Sequence, residues 1–377
     1  MTNGEKIRVL IADDSAFMRK VLVSILDSDG SFEVVGEARD GREAVEKSAK
    51  LKPQVITMDI NMPHMDGLQA TEVIMSTEPR PILIVSSESR DGADATLRAL
   101  ELGAIDFVAK PSSGVDLDMS SVREEMVRKL RIASKVRVVR NLLRSVPPKV
   151  ARVTPTPMDF AAAPVVNGAR LPVAVLAAST GGPATLMKLI PEFPANFPAA
   201  LLVVQHMPGT FTAQFAEQLS AVSLNPVKHA EHGDVLLAGH VYVCPGDCHL
   251  RIVPPGRIAL DSSPRIAGYR PCIDVTLESV AGLVGANSVV AILTGMGSDG
   301  ARGVMAIQEN GGMVIAQDEA TSVIFGMPQE AIKTGAVAQV LPLDQIAAAI
   351  ARRVAPPIAK PSAEALKPTG AGRELWR

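Results

Sequence analysis

Residues 171–182 read LPVAVLAASTGG, an apolar strand that runs directly into a serine and a tight turn. Ser179 stands where the turn begins, and the two glycines that close it lead into a predicted helix over 183–190. Such a turn places the hydroxyl at the C-terminal edge of a parallel sheet, beside backbone N–H groups of a helix N-terminus. A nucleophilic serine needs these surroundings, although turns of this composition also bind phosphate or are purely structural.

The composition is that of a globular protein with more than one domain. The 377 residues are enough for two or three domains, and the 47% of hydrophobic residues can form their cores. A net charge of −2 gives no reason to expect binding to nucleic acid or membranes. We find no signal-peptide pattern and no membrane span, and three cysteines are too few for a disulfide framework. These features predict a cytoplasmic protein without direct membrane insertion.

The first third of the chain alternates apolar strands with helices. The predicted strands are residues 7–12, 32–38, 54–58, 81–85 and 105–109. Continuous apolar strands separated by helices indicate a parallel sheet that is covered on both faces.

A basic, proline-rich stretch separates this region from the next. Residues 122–143 are predicted to be helical, and basic side chains recur from Arg123 to Arg152. We interpret the stretch as a solvated linker, because prolines follow it closely. The alternative is a response regulator whose second half binds DNA, but no helix-turn-helix pattern is apparent.

A second alternating region begins near Leu171. Its predicted strands are residues 173–176, 200–204, 241–243, 288–293 and 313–316, with a hairpin over 251–260. After about residue 352 the chain is rich in proline, alanine and lysine, which predicts a disordered tail.

Polar residues stand at the ends of the strands in the first region. Asp13, Asp14, Asp59, Ser86 and Lys110 all follow predicted strands, whose C-terminal ends converge on one crevice in a parallel sheet. Carboxylates held together favour Mg²⁺. An aspartate in such a pocket can attack a phosphoryl donor and form an acyl phosphate. The alternative is a set of loop residues that only cap helices.

Ser179 requires a general base, and the chain has only six histidines. His206 is the one that follows a continuous apolar strand, so it stands at a strand end as Ser179 does. The base in turn needs an orienting carboxylate. Asp299 lies in the glycine-rich turn after strand 288–293, where it could instead be a helix N-cap. Asp318, after a later strand, is the alternative acid.

One further cluster contains potential metal ligands. His240, Cys244, Cys248 and His249 could bind zinc, although a strand followed by a Pro-Gly turn explains the same residues.

The first region resembles the receiver domain of bacterial response regulators along nearly its whole length. The matching motifs are DD (13–14), MDINMP (58–63), DG (66–67) and KP (110–111). The resemblance implies that Asp59 is the phosphoacceptor, and that Mg²⁺ is held by Asp13, Asp14, Asp59 and the Asn61 carbonyl. It also implies that Ser86, Phe107 and Lys110 form the phosphorylation switch.

The second region resembles the catalytic domain of chemotaxis protein-glutamate methylesterases, the CheB family. The matching motifs are ASTGG (178–182), VQHMP (204–208), PGD (245–247), LTGMGSDGA (293–301), AQDE (316–319) and residues 322–328. The resemblance implies a triad of Ser179, His206 and Asp299, with the Met296 amide as an oxyanion donor. Ala177 and Cys272 depart from the family pattern, which often has glycine and serine there, and we expect neither to touch the triad.

Together the two resemblances imply an α/β protein with a five-stranded, flavodoxin-like receiver and a doubly wound, mostly parallel hydrolytic domain. The expected division is receiver 6–124, linker 125–168, catalytic domain 169–352 and tail 353–377. The implied function is phosphorylation-activated hydrolysis of glutamate γ-methyl esters on chemoreceptors, with deamidation of receptor glutamines. The implied partners are methylated chemoreceptor cytoplasmic domains and a chemotaxis histidine kinase, and the esterase is expected to need no cofactor. Hydrolysis of a different ester remains an alternative.

Overall fold

The computed structural model describes residues 5–87, 89–110, 119–136 and 171–354. Within these residues the strands are β1 (Ile7–Ala12), β2 (Phe32–Ala38), β3 (Val55–Asp59), β4 (Ile82–Ser86), β5 (Asp106–Ala109), β6 (Val173–Ala178), β7 (Ala200–Gln205), β8 (Val227–His229), β9 (Val241–Val243), β10 (His249–Val253), β11 (Arg257–Asp261), β12 (Ser288–Ile292), β13 (Met313–Gln317) and β14 (Gln339–Leu341). The helices are α1 (Ala16–Asp29), α2 (Gly41–Leu51), α3 (Gly67–Thr77), α4 (Arg90–Glu101), α5 (Met119–Ala133), α6 (Gly182–Leu189), α7 (Gly209–Val222), α8 (Ile273–Val284), α9 (Ala301–Glu309), α10 (Met327–Lys333) and α11 (Leu343–Val354).

The first five strands form a parallel sheet in the order β2-β1-β3-β4-β5. Every residue of β3 and β4 is buried, as expected for parallel strands that helices cover on both faces. The strand order reverses between β1 and β3, and ligands bind at such points in open α/β sheets. The predicted five-stranded parallel sheet is therefore confirmed.

The second half is built on a larger sheet in the order β14-β13-β12-β6-β7-β9-β8. Every pairing in it is parallel. The central strand β6 lies between β7 and β12, and the chain leaves β6 toward one edge and later returns to the other. The strands β10 and β11 form a separate antiparallel hairpin, as predicted. The edge strands β8 and β14, of three residues each, were not predicted from the sequence.

Helix α5 differs from the predicted solvated linker. Met126 and Leu130 are fully buried against the core of the first sheet. Their spacing, together with Ala133, forms an apolar stripe on a helix that also carries exposed basic residues. One of these, Arg131, bonds Asp29 of α1 at 2.7 Å. The expected boundary at residue 124 thus falls inside a helix that packs with the first domain.

The rest of the predicted linker and the predicted tail lie mostly outside the described residues. The described chain resumes at Leu171 and ends with α11 at Val354. None of the described helices is both long enough and apolar enough to cross a lipid bilayer.

Candidate active site

Ser179 lies at the C-terminal end of β6, at the point where the second sheet reverses its strand order. The turn after it holds Gly181 at a φ of 76°, a conformation that favours glycine, and α6 begins at the next residue. The Ser179 carbonyl accepts hydrogen bonds from Gly182 N at 2.8 Å and from Gln205 Nε2 at 2.9 Å. The backbone that carries the serine is therefore fastened to both α6 and β7.

The loop after β12 closes on the serine from the other side. The amide of Ser179 donates to the Thr294 carbonyl at 3.0 Å. Gly295 packs against the serine so closely that a Cβ there would lie 2.8 Å from Ser179 Cβ. A glycine is required at this position because the backbone must pass beside the serine.

His206 follows β7, which pairs directly with β6, so the histidine and the serine stand at neighbouring strand ends. Its Nε2 lies 2.8 Å from Asp299 Oδ2. Among the described residues its buried Nδ1 has no hydrogen-bond partner. An ionised carboxylate oxygen can only accept a hydrogen bond. Nε2 therefore carries the hydrogen, and Nδ1 keeps its lone pair. The histidine therefore offers a free basic nitrogen.

Asp299 is held at the N-terminus of α8. Its Oδ2 accepts from Ile273 N at 2.7 Å, and its Oδ1 accepts from Asp274 N at 3.0 Å. Burial acts to raise the pKa of Asp299, but the hydrogen bond from His206, together with the two backbone amides, holds that pKa below its usual value. The carboxyl is accordingly ionised at neutral pH. It does not cap α9, because Gly300 occupies that N-cap position.

The expectation that Cys272 would not touch the triad is wrong. Its Sγ donates to Asp299 Oδ1 at 3.2 Å. The sequence alone could not show this contact, because Cys272 follows an irregular segment after β11 that has no hydrophobic period. Ala177 lies inside β6, fully buried.

Tyr269 was not anticipated from the sequence, although it covers the imidazole of His206. Its ring stacks on His206 with centroids 4.3 Å apart and an angle of 14° between the planes. Ala267 and Gly268 form the turn before it, both with positive φ values of 50° and 87°. A bridge between Ile266 and Tyr269 closes this turn. The tight turn presents the ring to the imidazole face.

Met296 lies in the loop between Gly295 and Asp299, partly buried. Its N–H donates to no group in the described part of the chain, and its Sδ lies 3.3 Å from Arg128 of α5. The loop thus brings an unpaired amide to the same strand end as Ser179.

A second polar site lies at the switch point of the first sheet. Carboxylate oxygens of Asp13, Asp14 and Asp59 all lie within 4.8 Å of one another. Lys110 reaches this group, with Nζ 2.9 Å from Asp13 Oδ2 and 2.8 Å from Asp59 Oδ2. The structure therefore assembles the carboxylates that the strand ends predicted.

The charges of this cluster oppose one another. Burial raises the pKa of Asp59, Lys110 lowers it and Asp13 raises it again, with a net rise. Burial acts to lower the pKa of Lys110, but its two carboxylate partners outweigh this and raise it. A single lysine does not balance three carboxylates, so the oxygen-only donor set fits a hard divalent cation such as Mg²⁺.

Ser86 ends β4, and Phe107 lies on the neighbouring strand β5. Ser86 Oγ donates to the Gly92 carbonyl at 3.2 Å. The ring of Phe107 contacts that of Phe211 on α7, with centroids 4.4 Å apart. The first domain thus touches the second through an aromatic residue of β5.

A second contact between the two domains lies next to the serine. Thr180 Oγ1 donates to Asp106 Oδ2 at 2.6 Å. Asp106 also pairs with Lys129 of α5 at 3.2 Å. Val323 of the second domain packs against the core of the first. These contacts seat the first domain over the edge where Ser179 stands.

The alternative metal and acid sites are not formed. The two clusters of potential metal ligands found among the described residues do not include His240, Cys244, Cys248 or His249. Asp318 accepts from the amide of Thr321 at 2.9 Å within its own loop, and Asp299 takes the place beside His206.

Comparison with known proteins identifies the family. Residues 174–350 match the model of CheB methylesterase, and residues 9–120 match that of the response regulator receiver domain. A protein-glutamate methylesterase/protein-glutamine glutaminase of Pyrococcus abyssi is 46% identical over 354 residues, 93% of this chain and 94% of the relative. The chain belongs to the CheB methylesterase family. A relative of the same name from Symbiobacterium thermophilum is 46% identical over 92% of this chain and 97% of its own.

A solved structure covers the second half. The crystal structure of the Thermotoga maritima CheB methylesterase catalytic domain is 41% identical, covers 48% of this chain and 98% of its own, and gives a TM-score of 0.47. The expected fold class and the resemblance to both families are confirmed, and the chain is a carboxylic-ester hydrolase joined to a receiver domain. The DNA-binding alternative is therefore excluded as the role of the second half.

Proposed function

We propose that Ser179, His206 and Asp299 hydrolyse glutamate γ-methyl esters on methylated chemoreceptors, under the control of phosphorylation at Asp59. The observation that carries this proposal is the 2.8 Å bond between His206 and Asp299 at strand ends that flank Ser179. The relatives named protein-glutamate methylesterase/protein-glutamine glutaminase support the substrate.

In the proposed mechanism, His206 Nδ1 takes the proton from Ser179 Oγ as the oxygen attacks the ester carbonyl. Asp299 stabilises the imidazolium through Nε2. The Met296 amide donates to the tetrahedral oxyanion, and a single donor of this kind is typically worth about 3–4 kcal/mol. The protonated histidine then gives its proton to the departing methoxide, and methanol leaves. Water attacks the acyl-enzyme with His206 again as base, which yields glutamate.

The same steps deamidate glutamine, because its side chain presents the same carbonyl with an amine leaving group. His206 then protonates the departing nitrogen, and ammonia leaves in place of methanol. Both reactions end in a glutamate carboxylate on the receptor.

In the receiver, Asp59 is the proposed phosphoacceptor. Its carboxylate oxygen attacks the phosphorus of the donor, which we expect to be a phosphohistidine of a chemotaxis kinase, and the P–N bond breaks as the kinase imidazole leaves. Asp13, Asp14, Asp59 and the Asn61 carbonyl would hold Mg²⁺, which supplies positive charge to the phosphoryl oxygens when bound. Lys110 is placed to contact the same oxygens. We also expect the chain to work in the cytoplasm.

The proposed control is over access to Ser179. The unphosphorylated receiver contacts Thr180 and Phe211, and we propose that in this position it blocks a receptor helix from reaching Ser179. Phosphorylation would draw Ser86 away from Gly92 and allow Phe107 to move, which weakens the contact with Phe211. The receiver would then leave the catalytic edge.

Two variants separate ester hydrolysis at Ser179 from phosphorylation at Asp59. Ser179→Ala should abolish methanol release from methylated receptor and leave phosphorylation of Asp59 by a small phosphodonor intact. Asp59→Asn should abolish activation by the donor but retain basal release. Surviving ester hydrolysis in the Ser179 variant would reject the proposed nucleophile. A turnover that does not respond to the phosphodonor would reject the proposed control.

A further inference from the structure

His249 is a fully buried imidazole that the proposed chemistry does not use. It begins β10 and is 0% exposed. Its Nε2 lies 3.2 Å from the Pro264 carbonyl, and its Nδ1 lies 3.2 Å from Cys272 N. The carbonyl can only accept and the amide can only donate. The ring is therefore held as one neutral tautomer, with its hydrogen on Nε2 and its lone pair toward Cys272.

Cys272 connects this histidine to the catalytic acid. Its thiol donates to Asp299 Oδ1 at 3.2 Å. Burial, and then the charge of Asp299, raise the pKa of the Cys272 thiol to about 12, so the sulfur keeps the hydrogen that it donates. The next two residues supply the amides that also bind Asp299. Three consecutive residues therefore hold the carboxylate, and His249 fixes the first of them.

We propose that His249 is a positioning residue of the hydrolase, which acts through Cys272 to aim Asp299 at His206. The inference rests on the proposed triad. Without the imidazole, the buried amide of Cys272 would lose its acceptor, and an unsatisfied buried donor drives its segment to move. The thiol would move with it, and the carboxylate of Asp299 would lose one of its fixed donors.

The rest of α8 has its own attachments to the hairpin. Thr276 Oγ1 donates to the Leu250 carbonyl at 2.8 Å, and Ile252 N donates to Ser279 Oγ at 3.0 Å. Neither bond involves His249 or Cys272. A substitution at His249 should therefore disturb the first residues of α8 while the helix stays in place.

The decisive experiment measures kcat and KM for methanol release from methylated chemoreceptor, with the full chain and saturating phosphodonor. His249→Ala should lower kcat roughly 10- to 100-fold, the size of effect that small misplacements of catalytic groups produce. KM should change little, because His249 contacts neither Ser179 nor the loop of Met296. His249→Gln should restore most of kcat, because its amide supplies one acceptor and one donor.

His232, in the loop after β8, offers a control because it also contacts the hairpin of β10 and β11. Its Nδ1 accepts from Leu260 N at 3.2 Å, but no contact links it to Asp299. His232→Ala should keep the kcat of the parent protein. Ser179→Ala is measured in the same assay. If that variant stays active, the proposed triad itself is wrong. If it is inactive while His249→Ala keeps the parental kcat, only the positioning role of His249 is rejected.

Thermal unfolding of each variant tests whether it is folded. If His249→Ala does not fold, the Cys272 variants test the proposal. Cys272→Ala removes only the hydrogen bond from the thiol to Asp299. Cys272→Ala should lose kcat severalfold, and Cys272→Ser, which keeps a donor, should not. A folded His249→Ala with parental kcat, a His249→Gln as impaired as the alanine variant, or a Cys272→Ala with parental kcat would overturn the proposal.

Discussion

The hydroxyl of Thr180 donates a 2.6 Å hydrogen bond to Asp106, so the residue after the proposed nucleophile is tied to the receiver. Asp106 begins β5, and the next residue, Phe107, touches Phe211 of the catalytic domain. One short strand therefore carries both a proposed switch residue and a polar contact between the domains at the residue next to Ser179. A displacement of β5 would reach the catalytic edge without any intermediate element.

The ring contact between Phe107 and Phe211 should lower the rate of ester hydrolysis in the unphosphorylated protein. Phe211→Leu keeps an apolar side chain but removes the ring pair, which is worth about 0.5–1.5 kcal/mol beyond its buried area. Methanol release without phosphodonor should rise by about two- to tenfold, with little change in the fully phosphorylated protein. Phe193→Leu is the control, since Phe193 pairs with Phe197 inside the catalytic domain. A similar rise in both variants would show that the contact between domains has no special role.

Asp299→Asn should be far more damaging than its small change in shape suggests. The amide would present a donor where the carboxylate accepts, and His206 would lose the partner that fixes its tautomer. We expect kcat for the phosphorylated protein to fall by roughly 10³- to 10⁴-fold. Asp274→Asn is the comparison, because Asp274 Oδ1 binds Gly303 N and not the histidine. Equal losses in the two variants would argue for a general effect on α8.

Tyr269 should act through its ring and not through its hydroxyl. The stack on His206 is worth about 0.5–1.5 kcal/mol, so Tyr269→Ala should lower kcat by about two- to tenfold. Tyr269→Phe keeps the ring and should retain the parental rate. Both Tyr269 variants are compared with the parent protein by their initial rates of methanol release at saturating receptor. A phenylalanine variant as slow as the alanine variant would assign the effect to the phenol oxygen.

Asp59→Asn should stabilise the metal-free protein at neutral pH. The pKa of Asp59 is raised mainly by burial, so its ionised form is less favourable in the folded state than in the unfolded chain. Its contribution to stability is therefore greatest below the unfolded pKa of about 4 and is lost as pH rises through the folded value. The unfolding temperature in EDTA should be higher in the variant at pH 7, and the difference should shrink toward pH 4.

Added Mg²⁺ provides the complementary measurement. A cation that binds the folded receiver raises its unfolding temperature by mass action. The gain should be larger in the parent protein than in Asp59→Asn, because the variant lacks one of the three carboxylates. Equal gains would place the cation elsewhere.

The sequence was sufficient to predict the five strands of the first sheet, the five inner strands of the second, and the polar residues at their C-terminal ends. Ser179, His206 and Asp59 follow long apolar strands, and a parallel sheet brings the C-terminal ends of neighbouring strands together. Asp299 was predicted as one of two candidates, and the structure distinguishes it from Asp318 by its contact with His206.

The surroundings of the triad were not predictable in the same way. Tyr269 and Cys272 lie in the irregular segment between β11 and α8, where no period relates a residue to its neighbours in space. Their contacts depend on a turn with two positive φ values at Ala267 and Gly268. The apolar stripe of α5 was present in the sequence, but its many basic residues favoured the interpretation as a linker.

The position of Asp299 at the start of α8 has a broader consequence. Among the described residues, its donors all belong to residues 272–274 and to His206, so the proposed catalytic acid is held by the hydrolase half. The receiver instead contacts Thr180, the residue that follows Ser179. The contacts that hold Asp299 and the contacts proposed to control access to Ser179 use different residues. The hydrolase could therefore exchange its regulatory domain during evolution and keep its proposed catalytic geometry.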